Sequence, residues 1–532
     1  MSTAPAIELK GISKAFGPVQ ANKDISIRVM PGTIHGIIGE NGAGKSTLMS
    51  ILYGFYKADS GEIFINGKKT DIPDSQAAIN AGIGMVFQHF KLVQNFTVLE
   101  NVVLGAEDSA LLGPSLARAR GELKRLAAEY ELSVDPDALI DDIGVGMQQR
   151  VEILKALYRQ ADILILDEPT GVLTPAEADH LFRILENLRA EGKTIILITH
   201  KLREIIEITD TVSVMRRGEM TATVKTAETS PPELAELMVG RKVLLRVKKT
   251  PAQPGEKIVE VRDLNVVDDK GVHRVKGVSF DIRAGEILGI AGVAGNGQSE
   301  LLEVLGGYEK ATGSIRMRGE EIDLTGSRSD GQSRRRRGIA HVPEDRQREG
   351  LIMDFHAWEN VAFGYHADPA YQSGMFMNNA AIREATAEKM KRFDVRPPDP
   401  NLSAKSFSGG NQQKIVLARE IERNPDLLLV GQPTRGVDIG AIEFIHQRIV
   451  ELRDEGKAIL LVSVELDEIL GLADRIAVMF DGQIMGERLP GETDEKELGL
   501  LMAGITDTER EHSLAEVEAQ LAHTSGRAGK EA

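Results

Sequence analysis

Cysteine is absent from all 532 residues. Disulfides, cysteine-ligated zinc and thiol catalysis are thereby excluded. Also missing is any uninterrupted apolar run of the roughly 18 to 20 residues that span a bilayer. The N-terminus, Met1 to Lys10, has no basic region followed by an apolar core. It does not read as a signal peptide, and the expected compartment is the cytoplasm. Positive charge is in deficit: 64 Lys and Arg stand against 80 Asp and Glu, a formal charge of −16. That balance argues against a nucleic-acid partner held by phosphate neutralisation. The one dense basic run, Arg334 to Arg337, precedes the apolar stretch to Val342 and reads as a solvated loop before a strand.

What is present starts with Gly39-Glu40-Asn41-Gly42-Ala43-Gly44-Lys45-Ser46-Thr47, which fits G-x-x-x-x-G-K-[ST] at every fixed position. The apolar run Ile34 to Ile38 reads as the strand before it, and Leu48 to Leu52 as the helix after it. Glycines let backbone N–H groups turn inward around phosphate; Lys45 reaches the terminal phosphates and Ser46 can ligate Mg2+. The chemistry implied is binding of ATP with Mg2+.

The length allows two to four domains, and the chain is a duplication. Gly32 to Gly44 is echoed at Gly285 to Gly297, 253 positions on, and Gly146 to Ala156 at Gly410 to Glu420, 264 positions on. The second copy therefore carries about eleven extra residues between these points. Ile163 to Leu166 and Thr194 to Ile198 match Leu427 to Val430 and Ala458 to Val462; continuous apolar runs between helical patterns predict parallel strands buried on both faces. The copies are placed at residues 5–243 and 257–505, with a linker at 244–256 and a polar Ala/Glu-rich tail at 506–532.

Further candidates lie in order along the first copy. Ile163 to Asp167-Glu168 ends a predicted strand in two carboxylates. Asp167 is suited to the Mg2+ shell, directly or through water, and Glu168 to polarising the attacking water. Gln88 follows the apolar run Ile83 to Phe87, where an amide can reach metal and water. His200 ends the run from Thr194 and is placed to bond a γ-phosphate; Phe16 offers a ring on which adenine can stack.

This order of phosphate loop, Gln88, Gly-Gln-Gln, Asp167-Glu168 and His200 resembles the ATPase subunits of ABC transporters. The resemblance covers nearly the whole chain, twice. It implies an α/β fold of two tandem P-loop ABC-type ATPase domains. Each would have a mainly parallel sheet core, an antiparallel β part and a helical signature subdomain. Gly292 to Glu300, Val342-Pro343-Glu344-Asp345-Arg346 and Gln432 to Asp438 look like the ATP-binding subunits of bacterial sugar and nucleoside importers. Met85 to Leu92 is more similar to the nucleoside branch than to the ribose or galactoside one.

In this family two units meet head to tail, and ATP is clamped between one unit's loop and the other's signature. The signature amides begin a helix and present donors to the γ-phosphate. The second copy's signature, Ser408-Gly409-Gly410-Asn411-Gln412, is intact; the first copy's, Gly144-Val145-Gly146-Met147-Gln148, lacks the serine. The loops are unequal in the opposite sense. The second keeps Gly292, Gly295, Gly297 and Ser299 but has Gln298 where the first has Lys45. Gly431 and Gln432 replace Asp167 and Glu168, Val464 replaces His200, Glu344 replaces Gln88, and Asp269 stands opposite Phe16. The resemblance thus implies one complete composite site and one degenerate one.

The implied partners are two permease subunits docking near the Gln88 and Glu344 segments, fed by an extracytoplasmic binding protein, with the chain peripheral on the inner face of the bacterial plasma membrane. Nucleosides are the first expectation for cargo and simple sugars the second, by analogy alone. A soluble tandem ATPase acting on ribosomes is the rival of another class. Gln432, the short Pro-containing linker and the net acidity count against it. An excision-type DNA-repair ATPase would carry zinc cysteines, and a nucleotide-gated scaffold would not need Lys45 and Glu168 together.

Overall fold

The computed structural model describes residues 4–17, 19–87, 90–106, 112–130, 132–171, 173, 175–199, 201–242, 248–293, 295–326, 330–437 and 439–505. The chain divides into two compact units, residues 1–245 and 246–532.

In the first unit six strands form one sheet in the order Glu219–Lys225, Thr211–Arg216, Ile34–Gly39, Thr194–Ile198, Ile163–Asp167, Ile83–Val86. All neighbours pair in parallel except the first two, which are antiparallel. Strict alternation explains why the runs are apolar at every position. Ile163 and Ile165 face a cluster with Ile37, Ile196 and Leu48, while Leu164 and Leu166 face another with Leu197, Val151 and Leu185. A strand covered on both sides has no solvent face on which to place polar residues.

One face is covered by the helix Lys45–Leu52 and a second sheet, antiparallel, of Val19–Val29, Ile7–Phe16, Ser60–Ile65 and Lys68–Lys69. The other is covered by helices Val145–Tyr158 and Pro175–Ala190. The latter buries Leu181, Ile184, Leu185 and Leu188, the spacing of one helical stripe.

The second unit repeats the plan. Its sheet runs Ile339–Val342, Leu427–Gly431, Ala458–Ser463, Ile287–Ala291, Arg475–Phe480, Gln483–Arg488, and its antiparallel sheet His273–Arg283, Lys257–Val267, Thr312–Met317, Glu320–Glu321. Leu427 and Leu429 face one core, Leu428 and Val430 the other. The second copy also carries a short hairpin, Gln372–Ser373 with Phe376–Met377, in the stretch that holds its extra residues. The expected architecture of parallel core, antiparallel part and helical signature region is present in both units.

The basic run is a correction. Arg334 to Arg336 belong to a helix, Gly331–Arg336, capped by Asp330 through the Ser333 amide at 2.7 Å. Arg334 is buried and donates to the Asp323 carbonyl at 3.2 Å, so the run is not a solvated loop. Lys248 to Glu256 has no regular structure, but Lys249 donates to the Leu472 and Ala473 carbonyls and pairs with Asp474 at 3.0 Å. That stretch is therefore fastened to the second unit. The tail from residue 506 lies outside the described residues.

Candidate nucleotide site

Parallel strands place their C-terminal ends on one edge, where α/β sheets hold ligands. Gly39, Asp167 and Ile198 end neighbouring strands there. The loop from Gly39 to Gly44 leaves this edge and enters the helix Lys45–Leu52. Two of its glycines are sterically required. A Cβ on Gly39 would lie 2.3 Å from the Met215 carbonyl oxygen; one on Gly44, at φ 96°, would lie 2.2 Å from that of Ala21. The buried Asn22 holds the turn by donating to the Gly44 carbonyl at 3.0 Å.

Lys45 is 6% exposed and folds back over its own loop, donating to the Gly39 carbonyl at 2.7 Å and to Glu40's at 3.1 Å. Burial lowers its pKa, opposed by the charges of Glu168, Asp167 and Glu40. Burial raises the pKa of Asp167, opposed by a hydrogen bond from Ser46. The hydroxyl and carboxylate suited to Mg2+ thus lie near one another, close to the cation suited to phosphate.

Glu168 follows in left-handed backbone, φ 47°, with its N–H on the Ile198 carbonyl at 2.8 Å. A non-glycine residue there costs on the order of 1–2 kcal/mol. Its counterpart Gln432 keeps the same turn, φ 45°, with its N–H on Val462 at 2.8 Å. Phe16 ends its strand 41% exposed, its ring edge-on to Tyr56 at 5.1 Å. Gln88 and His200 lie outside the described residues.

The degenerate loop keeps its shape without its charge. Gly295 and Gly297 adopt φ 90° and 99°, close to the 82° and 96° of Gly42 and Gly44. Gln298 donates to the Val293 carbonyl at 3.2 Å, the position that Glu40 occupies in the first loop. A neutral amide thus reproduces one of Lys45's two loop contacts. Where Asp167 is replaced by Gly431, Ser299 instead donates to Glu344 at 2.7 Å. A Cβ on Gly431 would lie 2.6 Å from Glu344 Cγ, so the glutamate fills the space that the missing aspartate leaves. Gln432 accepts from the Val464 N–H at 3.3 Å and is folded onto the strand end.

The two signature helices start alike. Gly144 precedes Val145–Tyr158 at φ −64°, ψ 162°, and Ser408 precedes Gly409–Ile421 at φ −63°, ψ 159°. Gln148 and Gln412 brace equivalent turns, on the Ile140 and Ile143 carbonyls and on those of Ala404 and Phe407. The free amides at the start of Gly409–Ile421, with Ser408 Oγ and Gly410 beside them, form the donor end that an anion would meet.

Sequence reasoning missed two residues that fix this edge. Glu204 accepts from both Thr170 and Thr199, the latter at 2.9 Å, tying the turn after Glu168 to the neighbouring strand end. Gln149 donates to the Pro169 carbonyl at 2.7 Å. Repetition offered a signal for the first: Glu468 and Ser463 keep the polar pair 264 positions on.

A phosphate loop and a paired carboxylate on a parallel sheet edge, flanked by an antiparallel sheet and a Gly-Gln-Gln helix, define a tandem P-loop ATPase of ABC type. The ABC transporter family model matches residues 22–171 and 275–435, and the chain belongs to that family. As such it is an ATP-binding ATPase chain. It is 49% identical over 505 residues to the nucleoside import ATP-binding protein NupA of Lactococcus lactis subsp. cremoris (strain MG1363), with 95% of this chain and 99% of that protein covered. It is 48% identical over 504 residues to the guanosine import ATP-binding protein NupO of Bacillus subtilis (strain 168), with 94% and 98% covered. Among solved structures, an archaeal ribosome recycling factor in complex with a ribosomal stalk protein aligns with a TM-score of 0.59 at 20% identity, over 93% of this chain and 92% of that one. That likeness concerns the fold alone. Among the described residues no helix is long and apolar enough to cross a membrane.

Proposed function

We propose that the chain is the energy-coupling subunit of an importer for nucleosides, working as a peripheral protein on the cytoplasmic face of the membrane with two permease subunits and, through them, an extracytoplasmic binding protein. The observation that carries this reading is the similarity over almost the full length to proteins named for nucleoside and guanosine import. The permeases would dock near the Gln88 and Glu344 segments.

In this reading ATP with Mg2+ is turned over at the loop of residues 39–47. Phe16 stacks on adenine, and Gly39, Glu40, Asn41, Gly42, Ala43, Gly44 and Thr47 wrap the phosphates. Lys45 supplies the cation there. Ser46, Asp167 and Gln88 hold the metal, with Asp167 acting directly or through water. Glu168 polarises water, and His200 bonds the γ-phosphate. A signature of the kind at Ser408, Gly409, Gly410 and Gln412 completes that loop. The loop with Gln298, Gly431, Gln432 and Val464 lacks cation and catalytic carboxylates and, like a site completed by a serine-less signature of the kind at Gly144, does not hydrolyse. Loss of a positioned base alone typically costs 10²–10⁴-fold.

The test is steady-state ATP hydrolysis by the full-length chain with its permeases, together with uptake of labelled nucleoside. Glu168→Gln is expected to abolish both, and Gln298→Ala to leave hydrolysis within about twofold. Substantial turnover in the first variant would refute the one-site assignment. Uptake of a simple sugar but not of a nucleoside would refute the cargo.

A further inference from the structure

The segment after Ile339–Val342 differs chemically between the copies. In the second unit it reads Pro343-Glu344-Asp345-Arg346-Gln347, and Arg346 opens a single π-helical turn, Arg346–Gly350. The Asp345 carboxylate accepts from the Gln347 and Arg348 amides at 2.9 and 3.1 Å and sets the direction of that turn. The Arg346 guanidinium then crosses to the turn after Gln432. It donates to the Arg435 carbonyl at 2.5 Å and to that of Gly436 at 3.1 Å.

The same guanidinium lies against the start of the signature helix. A Cβ on Gly409 would sit 2.4 Å from Arg346 Nη2 and 2.7 Å from the Gly436 carbonyl oxygen. The Gly436 carbonyl thus demands glycine at 409, and the guanidinium fills the space that the missing side chain leaves. Two further bonds join the segment to this helix: Gln347 Nε2 donates to Gln412 Oε1 at 3.0 Å, and Arg419 Nη1 to the Gly350 carbonyl at 2.8 Å. At its other end the segment holds the degenerate loop through the Glu344–Ser299 contact.

A cation beside the positive end of a helix is electrostatically unfavourable by itself. What retains it here is geometry. A planar fork can hold two adjacent carbonyls at once, which a lysine ammonium cannot do with the same rigidity. At the matching position the first copy has no arginine. Counting 256 positions back, as from Glu344 to Gln88, Arg346 corresponds to Phe90, a partly buried apolar residue of the core. The first copy is also the one whose signature lacks serine, so the arginine accompanies the intact signature and is absent beside the defective one.

We infer that Arg346 is a positioning residue for hydrolysis. It locks the turn at Arg435-Gly436 against Gly409 so that Ser408 and the first amides of the signature helix stand at fixed places for the γ-phosphate. This rests on the proposed reading of Ser408 to Gly410 as a signature whose amides meet the γ-phosphate of bound nucleotide. A small displacement of pre-set donors is enough for a large kinetic effect, since misplacement by about 1 Å can cost on the order of 10²-fold.

The experiment is a double-mutant cycle on the full-length chain with its permeases, measuring kcat and KM for Mg-ATP alongside thermal stability. Arg346→Ala is expected to lower kcat by about tenfold or more with little change in KM, and Arg346→Lys to recover only part of the loss. Ser408→Ala combined with Arg346→Ala is expected to be no worse than the more damaging single change, because the two act through one element. Three results would overturn the inference: kcat within about twofold in Arg346→Ala, multiplicative losses in the double variant, or a lowered melting temperature with unchanged kcat per folded chain. Ser408→Ala without effect would overturn the signature reading itself and this inference with it, and so is distinguishable from failure of the arginine alone.

Discussion

Replacing Lys45 by Gln298 separates two duties of one position. Donation to one loop carbonyl survives in the amide, at 3.2 Å to Val293, whereas the positive charge does not. The same separation occurs at the carboxylate, where Glu344 reaches Ser299 from a different strand while Gly431 leaves its own strand bare. Each exchange keeps the turn folded while changing the group that holds it. Buried histidines give this scale a measurable signature. His35, which contacts Ser213 at 2.9 Å, and His341 both have pKa values pushed down to about 4 by burial. Their unfolded-state value is about 6.5. The neutral form is therefore favoured in the folded state, and its contribution is intact above pH 6.5 and lost as pH falls from there through 4. At pH 5 each histidine costs on the order of 1–2 kcal/mol relative to pH 7. His341→Met, which installs the residue that the first copy has at Met85, should make denaturation less pH-dependent between 7 and 5. An unchanged dependence would show that His341 titrates normally.

At the level of elements, end signals decide where a helix begins. Thr97 and Glu100 cap Val98–Val103 reciprocally, at 3.2 Å to the Glu100 amide and 2.8 Å to the Thr97 amide. Thr97→Ala should lower stability by about 1 kcal/mol, read from the denaturation midpoint, with ATP hydrolysis unaffected. Strands were legible because two-sided burial forces continuous apolar runs, and the loop at 39–47 because its glycines answer to backbone clashes within a few ångströms. The helix Gly331–Arg336 was not legible. It is six residues long, its polar cap looks like loop composition, and four successive arginines conceal that Arg334 points inward to Asp323. Arg346, Glu204 and Gln149 were hidden for another reason: each acts on carbonyls or hydroxyls far along the chain, and only the sheet edge brings these together.

Across the whole molecule, duplication supplies the frame and substitution supplies the difference. Both units carry the same six-stranded order and the same strained turn at Glu168 and Gln432. Among the described residues the first loop brings Lys45, Ser46 and Asp167 near one another, and in the sequence Ser408 and Arg346 belong to the second copy while Gly144 and Phe90 stand in the first. The left-handed turn is the same whether its residue is Glu168 or Gln432, so the turn does not depend on the carboxylate. The central claim is that fuel is consumed at one loop per chain. Vanadate trapping of a photoreactive ATP analogue in the full-length chain with its permeases, followed by mapping of the labelled peptides, tests it most directly. The account predicts trapped, cleaved nucleotide on peptides containing Lys45 and none on those containing Gln298; cleaved nucleotide shared between the two would contradict it.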